Sequence, residues 1–191
     1  MDYKKYKWFY TKSGKLVIGG KSAEQNDSLL AELKNTGKDY VVMHTKSPGS
    51  PFCTIIAPVK SVTAKDIEEC AIFTGCFSRA WKEGKKKTIV DIFQLSQILK
   101  AKNMKTGTWQ VNGKIVNHPV NLELVLIKQE GIVRAVPVAT ADPENIIAYA
   151  SPGKIDKVEA VATTKILALL KLNKEQLIAA LPAGGVRFGK K

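Results

Sequence analysis

Trp8-Phe9-Tyr10-Thr11-Lys12-Ser13-Gly14-Lys15-Leu16-Val17-Ile18-Gly19-Gly20-Lys21-Ser22-Ala23-Glu24-Gln25 changes its period halfway along. The aromatic run, the Ser13-Gly14 turn and Leu16-Val17-Ile18 read as a hairpin, because β-branched and aromatic residues suit a pleated surface and glycine suits the turn. Gly19-Gly20 ends the second strand. Ser22-x-x-Gln25 then reads as a capping box. Leu29, Leu30 and Leu33 recur at helical spacing, and Gly37 is a natural stop. A hairpin feeding an amphipathic helix sets the expectation of a mixed, antiparallel domain.

Tyr40 to His44 and Phe52 to Ala57 read as strands on either side of Lys46-Ser47-Pro48-Gly49-Ser50-Pro51, a loop too rich in proline and glycine for regular structure. Thr63-x-x-Asp66 caps one long predicted helix. It carries Ile67, Cys70, Ala71, Thr74, Phe77, Ser78 and Trp81 and ends at Gly84. Thr88 to Phe93 reads as a strand, and Gln94 to Lys100 is ambiguous, with a short helix as one option. Asn112-Gly113 predicts a two-residue hairpin joining Thr108–Val111 to Lys114–Val116. Asn121 to Lys128 and Ile132 to Val138 are further strands around Glu130-Gly131.

Beyond Val138 the composition shifts. Asp142-Pro143 and Ser151-Pro152-Gly153 punctuate the chain. Asp156-x-x-Glu159 caps a helix with Val158, Val161, Ala162, Lys165, Ile166 and Leu169, and Asn173-x-x-Gln176 starts another with Leu177, Ile178 and Leu181. The predicted fold class is α+β: a mostly antiparallel sheet with packed helices, plus a small helical C-terminal extension. The predicted division is 6–138 and 139–191.

With 191 residues, 45% apolar and 25% charged, the chain can build one core with at most a small appendage. No apolar run is long enough to span a bilayer, and the opening MDYKKYKWFY has no apolar segment of a secretory signal. A soluble cytoplasmic protein with no membrane partner is expected. The three cysteines form no C-x-x-C pair and the two histidines lie far apart, so no metal and no cofactor are expected. No catalytic signature is present either, and no residue is assigned a catalytic role.

The charge is the outlier. Thirty Lys+Arg stand against seventeen Asp+Glu, a formal +13 with a pI near 9.6. Residues 1–137 hold 22 of the basic and 12 of the acidic groups, so most of the excess lies there. Such a potential attracts polyanions, nucleic acid first and an anionic membrane surface second. Only Arg79, Arg134 and Arg187 are arginines; lysine suits phosphate contact rather than bidentate base readout.

Two loops offer anion chemistry. Gly19-Gly20-Lys21-Ser22 sits between a strand and a helix N-terminus, where free N–H groups face outward. It is not a Walker loop, since Lys15 stands where the first glycine is needed. The other loop places His44, Lys46, Gly49 and Ser50 just past a strand, with His44 and Lys46 as donors to phosphate or sugar. Arg79, Lys82 and Lys85-Lys86-Lys87 extend a basic run, with a solvated face as the bland alternative. Trp109 and Tyr10 read as core aromatics or as stacking platforms.

Several separated blocks then resemble one family. Trp8-Phe9 through Gly19-Gly20-Lys21, with Ala23, Gln25-Asn26-Asp27 and Leu29-Leu30, is similar to the opening of the NFACT-R domain. Asp39-Tyr40-Val41-Val42-Met43-His44 with Pro48-Gly49-Ser50, then Ser78-Arg79-Ala80-Trp81, then Gly107-Thr108-Trp109, then Pro119-Val120, follow in the family's order. The match covers roughly residues 6–138. It implies an RNA-binding domain of the kind found at the C-terminus of large ribosome-quality-control proteins. Those engage a stalled large ribosomal subunit and recruit tRNA to tail the nascent chain. Without the companion N-terminal, helix-hairpin-helix and coiled-coil regions in these 191 residues, the sequence is expected to resemble the standalone archaeal form.

The expected function is therefore non-catalytic binding of tRNA or rRNA, with the large ribosomal subunit as a candidate partner. The expected RNA-binding residues are Gly19, Gly20, Lys21, Asn26, His44, Lys46, Gly49, Ser50, Arg79, Lys85, Lys86 and Lys87. The alternative is an RNA-modifying or RNA-processing enzyme centred on His44 and the Lys46–Ser50 loop. Binding of DNA or an acidic membrane through general charge is a third reading.

Overall fold

The computed structural model describes residues 1–164 and 173–189. Strands β1 (Lys7–Tyr10) and β2 (Leu16–Gly19) form the expected hairpin, with Trp8 opposite Ile18 and Phe9 opposite Val17. Helix α1 (Ala23–Asn35) follows, capped by Ser22, whose side chain accepts from the Gln25 N–H. The Gln25 side chain reaches one residue further back than a capping box requires and accepts from the Lys21 N–H at 3.0 Å. Strands β3 (Val41–Thr45) and β4 (Cys53–Ile56) come next.

The predicted long helix is two. Helix α2 (Ala64–Cys76) has the full Thr63/Asp66 capping box and stops at Phe77; α3 (Arg79–Lys82) restarts from Ser78. The apolar spacing runs through both, which is why sequence merges them. Ser78 breaks the ladder by donating its hydroxyl to the Gly75 carbonyl and accepting from the Ala80 N–H.

Strand β5 (Lys87–Gln94) leads through a short turn at Leu95–Gln97 to β6 (Ile98–Leu99) and β7 (Gln110–Val111). The Asn112-Gly113 hairpin does not form. Gly113 has the positive φ of +90° that such a turn uses. However, β7 pairs with β6, and the Gln97 carboxamide donates to the carbonyls of Asn112 and Lys114. Val116 belongs instead to β8 (Val116–Asn121), which pairs with β5.

The first sheet has the order β1-β2-β4-β3-β5-β8 and is antiparallel throughout. Its period-two alternation separates two cores. Trp8, Ile18, Val42 and Phe93 pack against Leu29, Leu30 and Leu33 of α1. Phe9, Val17, Met43 and Ile55 face α2 and everything beyond it. Pro119 sits on the edge strand β8, where a missing N–H costs least.

Strands β9 (Leu124–Gln129) and β10 (Ile132–Pro137) join β11 (Ala148–Asp156) and β12 (Gly185–Gly189) in a second sheet, ordered β10-β9-β11-β12. The region after residue 138 is therefore not purely helical. Helices α4 (Lys157–Thr163) and α5 (Lys174–Ala180) start at Asp156 and Asn173 as expected, but two strands accompany them. Lys165, Ile166 and Leu169 lie outside the described residues. Proline and glycine hid β11, because they mark a bulge rather than a break: the pairing with β12 shifts between Pro152 and Asp156. A Cβ on Gly185 would lie 2.1 Å from the Gly153 carbonyl oxygen, so close backbone approach needs glycine there.

Side chains tie the second sheet to the edge of the first. The Gln129 carboxamide accepts from the Tyr10 N–H and donates to the Tyr10 carbonyl, both at 2.8 Å, as a neighbouring strand would. Arg134 donates to the Trp8 carbonyl at 2.8 and 3.0 Å, and its guanidinium lies 4.3 Å from the Trp8 ring centre. On the α2 side, buried Asp66 accepts from Thr11 and from Lys15, pinning the β1–β2 turn to the helix cap.

Candidate nucleic-acid interface

The ends of β2 and β3 and the starts of β1 and β4 meet at one side of the first sheet. There they leave a cleft of about 510 Å³. Of the residues expected from sequence it gathers Gly20, Lys21, Asn26, His44, Lys46, Gly49 and Ser50. These come from two loops that antiparallel β2, β4 and β3 bring side by side.

The two loops are joined by contacts rather than merely adjacent. The Asn26 side-chain oxygen accepts from the Phe52 N–H at 3.1 Å. A Cβ on Gly20 would lie 2.3 Å from that same oxygen, so glycine is required for the fit. Gly19 does not line the cleft; its Cα faces Cys53 and Pro51, where a Cβ would come within 2.8 Å of the Cys53 sulfur. Its role is close packing. Ser50 is buried and closes its own loop by accepting from the Thr45 N–H at 2.9 Å. Gly49 has φ +108°, and its carbonyl accepts from the Arg79 N–H at 2.8 Å. The break between α2 and α3 thus seats Arg79 against the Pro48–Gly49 turn. Arg79 lies in a smaller hollow on the far side of that loop, together with Lys85.

Lys85, Lys86 and Lys87 are not in the cleft. All three are solvent-exposed, Lys85 is paired with Glu83 at 2.7 Å, and Lys87 opens β5. Tyr10 is also elsewhere, bonded to Tyr3 and Glu130. Trp109 does line the cleft and is half-buried.

Four residues with a part in the cleft were not picked out from the sequence as site residues. Lys7, at the start of β1, is half-buried with its ammonium 4.6 Å from the Phe77 ring centre. Burial, then the nearby Lys157 charge, pushes its pKa down to about 8. Burial, then Arg134, likewise lowers that of Lys21. Among the described residues no ion pair involves Lys7, Lys21 or Arg134. Asp27 anchors the 100–109 segment along one wall. Its carboxylate accepts from the Trp109 indole N–H at 2.7 Å, the Gly107 N–H at 3.0 Å and the Lys100 ammonium at 3.0 Å. Burial alone would raise its pKa; these donors outweigh that and hold it below the usual carboxylate range. Asp91 lies on β5 directly opposite His44. Trp109, weighed only as core or as a stacking surface, is the fourth.

His44 packs on Phe52, with ring centres 4.5 Å apart, and its Nδ1 lies 2.7 Å from the Thr45 carbonyl oxygen. Burial lowers its pKa, with the Thr45 carbonyl, Asp91 and the Ser50 backbone pulling the other way less strongly. The ring is neutral near pH 7. A carbonyl only accepts, so Nδ1 carries the hydrogen and Nε2 the lone pair. The expected donor role toward phosphate is thereby corrected: what His44 has left is an acceptor.

Fold and cleft together define a basic α+β domain with a lysine-lined groove across its strand ends. Residues 5–113 match the NFACT protein RNA binding domain, more than half of the chain, and the chain belongs to that family. It is 29% identical to the archaeal Rqc2 homolog aRqcH of Methanocaldococcus jannaschii over 205 aligned positions, 99% of this chain and 29% of that protein. Over 80 positions, 41% of this chain and 7% of the relative, it is 28% identical to the ribosome quality control complex subunit NEMF of Homo sapiens. The chain spans less than a third of the length of these relatives. In fold it is similar to the C-terminal part of the fibronectin/fibrinogen-binding protein from Streptococcus suis, with a TM-score of 0.51 and 19% identity over 61% of this chain and 44% of the other. Of the matched residues, Gly20, Lys21, Asn26, His44, Pro48–Ser50 and Gly107–Trp109 line the cleft, and Arg79 braces its Pro48–Gly49 turn. Among the described residues no helix is long and apolar enough to cross a membrane.

Proposed function

We propose that this chain binds RNA in the strand-end cleft, without catalysis, as a tRNA- or rRNA-contacting element of ribosome quality control in the cytoplasm. The observation that carries the reading is the pair Lys7 and Lys21. Lys7 is half-buried, Lys21 is exposed at the cleft edge with only part of its solvation lost, and neither has an acidic partner among the described residues. A protein that holds unpaired cations in a concave site pays for it in stability, and a phosphate supplies the missing counter-charge. Lysine rather than arginine lining favours backbone over base readout. Membership of an RNA-binding family supports RNA as the polyanion. The relatives named for ribosome quality control support the setting and make the large ribosomal subunit the candidate partner. Residues 6–138 would carry the RNA contact and 139–191 would brace it.

Filter binding at several salt concentrations tests this. Counterion release predicts a slope of log K against log[salt] steeper than about −2. A shallower slope counts against phosphate-driven binding. Crosslinking in cells followed by sequencing of the bound RNA then separates tRNA from rRNA.

A further inference from the structure

The cleft is not uniformly a donor surface. Lys7, Lys21 and Lys46 offer only donors, whereas the middle of the sheet offers the reverse. His44 and Asp91 are cross-strand neighbours on β3 and β5, and both line the cleft. His44 has its Nδ1 hydrogen committed to Thr45, which leaves the Nε2 lone pair. Asp91 accepts from the Asn117 side chain at 2.6 Å through one oxygen, and the other has no partner among the described residues.

A carboxylate beside a neutral imidazole acceptor cannot take a phosphate, which has no hydrogen to give and carries the same charge. It takes a hydroxyl or an amino group. In an RNA strand, every nucleotide carries one donor of that kind whatever its base, the ribose 2′-hydroxyl. The sheet order places Lys7 on β1 and His44 on β3, three strand spacings apart, roughly 14 Å, with Lys7 turned to the α2 face over Phe77 and His44 to the α1 face on Phe52, both at the strand ends that the cleft crosses. A strand crossing the sheet ends would therefore meet cations at one end and acceptors at the other.

We propose that His44 and Asp91 form a hydroxyl-reading subsite that accepts a hydrogen bond from a ribose 2′-hydroxyl of single-stranded RNA whose phosphates lie on Lys7 and Lys21. The inference rests on the RNA-binding reading and adds to it a means of telling RNA from DNA.

The test is a fluorescence-anisotropy titration with a short labelled oligouridylate and its 2′-deoxy and 2′-fluoro forms at one salt concentration. The 2′-fluoro form keeps the ribose-like pucker but cannot donate. The ribo form should bind roughly five- to tenfold tighter than both others, the size of one well-made hydrogen bond to a half-buried, charged acceptor. His44→Phe keeps the stack on Phe52 and removes the acceptor; Asp91→Asn keeps the shape and removes the charge. Each should bring the ribo-to-fluoro ratio toward one, with the loss on the ribo form. If His44→Phe fails to fold by circular dichroism, Asp91→Asn carries the test. The subsite is overturned if all three oligonucleotides bind the wild type equally, if the 2′-fluoro form binds like the ribo form, or if both variants keep the ratio. Equal binding of the uridylate forms with tighter binding of oligocytidylate overturns it in favour of a base amino group. If none of the three binds, the RNA-binding reading itself fails.

Discussion

Two lysine clusters flank the Pro48–Gly49 turn; Lys21 and Lys46 are exposed like Lys85–Lys87, and the difference lies in the concave setting of the first cluster and in half-buried Lys7. Lys7, Lys21 and Lys46 line a concave site at the strand ends, where burial depresses the pKa of the first two. Lys85, Lys86 and Lys87 stand in solvent, and the first already has Glu83. A desolvated ammonium gains most from a phosphate, because the interaction is unscreened and replaces solvation it has already lost. An exposed one exchanges a hydrated counterion for a hydrated phosphate and gains mainly counterion entropy. On the proposed reading, net charge attracts RNA to this protein, while the cleft with half-buried Lys7 decides where it is held.

Removing one member of each cluster should give the largest difference in RNA affinity. Lys7→Met should weaken RNA binding by roughly thirtyfold, the cost of stripping one partner from a buried charge contact. Lys85→Gln should change it by about twofold at most. Equal losses in filter binding would erase the distinction between the clusters.

The exposed run acts collectively. The triple change Lys85/86/87→Gln should cost about tenfold at low salt and make the salt slope shallower by about two, since each phosphate contact to a single strand contributes about −0.7. At high salt the triple variant and the wild type should converge. Loss of binding at every salt concentration would place the specific site on the run.

The two clusters also differ in their dependence on pH. With its pKa pushed down to about 8, Lys7 is charged below that value and neutral above it. Bound phosphate favours the charged form, so binding above pH 8 requires proton uptake and affinity falls as pH rises. The fall should be somewhat under tenfold between about pH 7.5 and about pH 9. Lys7→Arg, charged throughout this range, should flatten the profile. An unchanged profile in that variant would assign the dependence to another group.

The smallest expected effect is at the wall. Asp27→Asn weakens the hold on Trp109, Gly107 and Lys100 together. It should cost about two- to fivefold in RNA affinity. Limited proteolysis should also cut the 100–109 segment faster, and the Trp109 fluorescence should shift to the red. Unchanged proteolysis would show that the segment does not depend on Asp27.

How far the sequence could be read follows the range of the interactions. The β1–β2 hairpin and α1 are local, set by a turn, a cap and three leucines, and they stand where the sequence puts them. That Lys21, His44, Lys46 and Ser50 share one cleft was half legible, because they sit in or beside glycine- and proline-marked loops at strand ends, but not that the sheet order brings the two loops together. Lys7 and Asp91 were not legible, because each is one charge inside an alternating strand. Only the order β1-β2-β4-β3-β5 puts the two on one cleft. Asn112-Gly113 misled for the same reason: its local preference for a hairpin lost to the pairing of β7 with β6 and to the Gln97 side chain. In β11, glycine and proline serve a bulge that only the β12 pairing reveals.

The most direct test of where RNA is held is a backbone-amide NMR titration with a short single-stranded RNA at moderate salt. With RNA in the cleft, shift changes concentrate at Lys7, at Gly20–Asn26, at His44–Phe52 and at Thr106–Trp109, with Lys85–Thr88 nearly still. Changes centred on Lys85–Thr88, with the cleft amides unmoved at saturation, would contradict binding in the cleft.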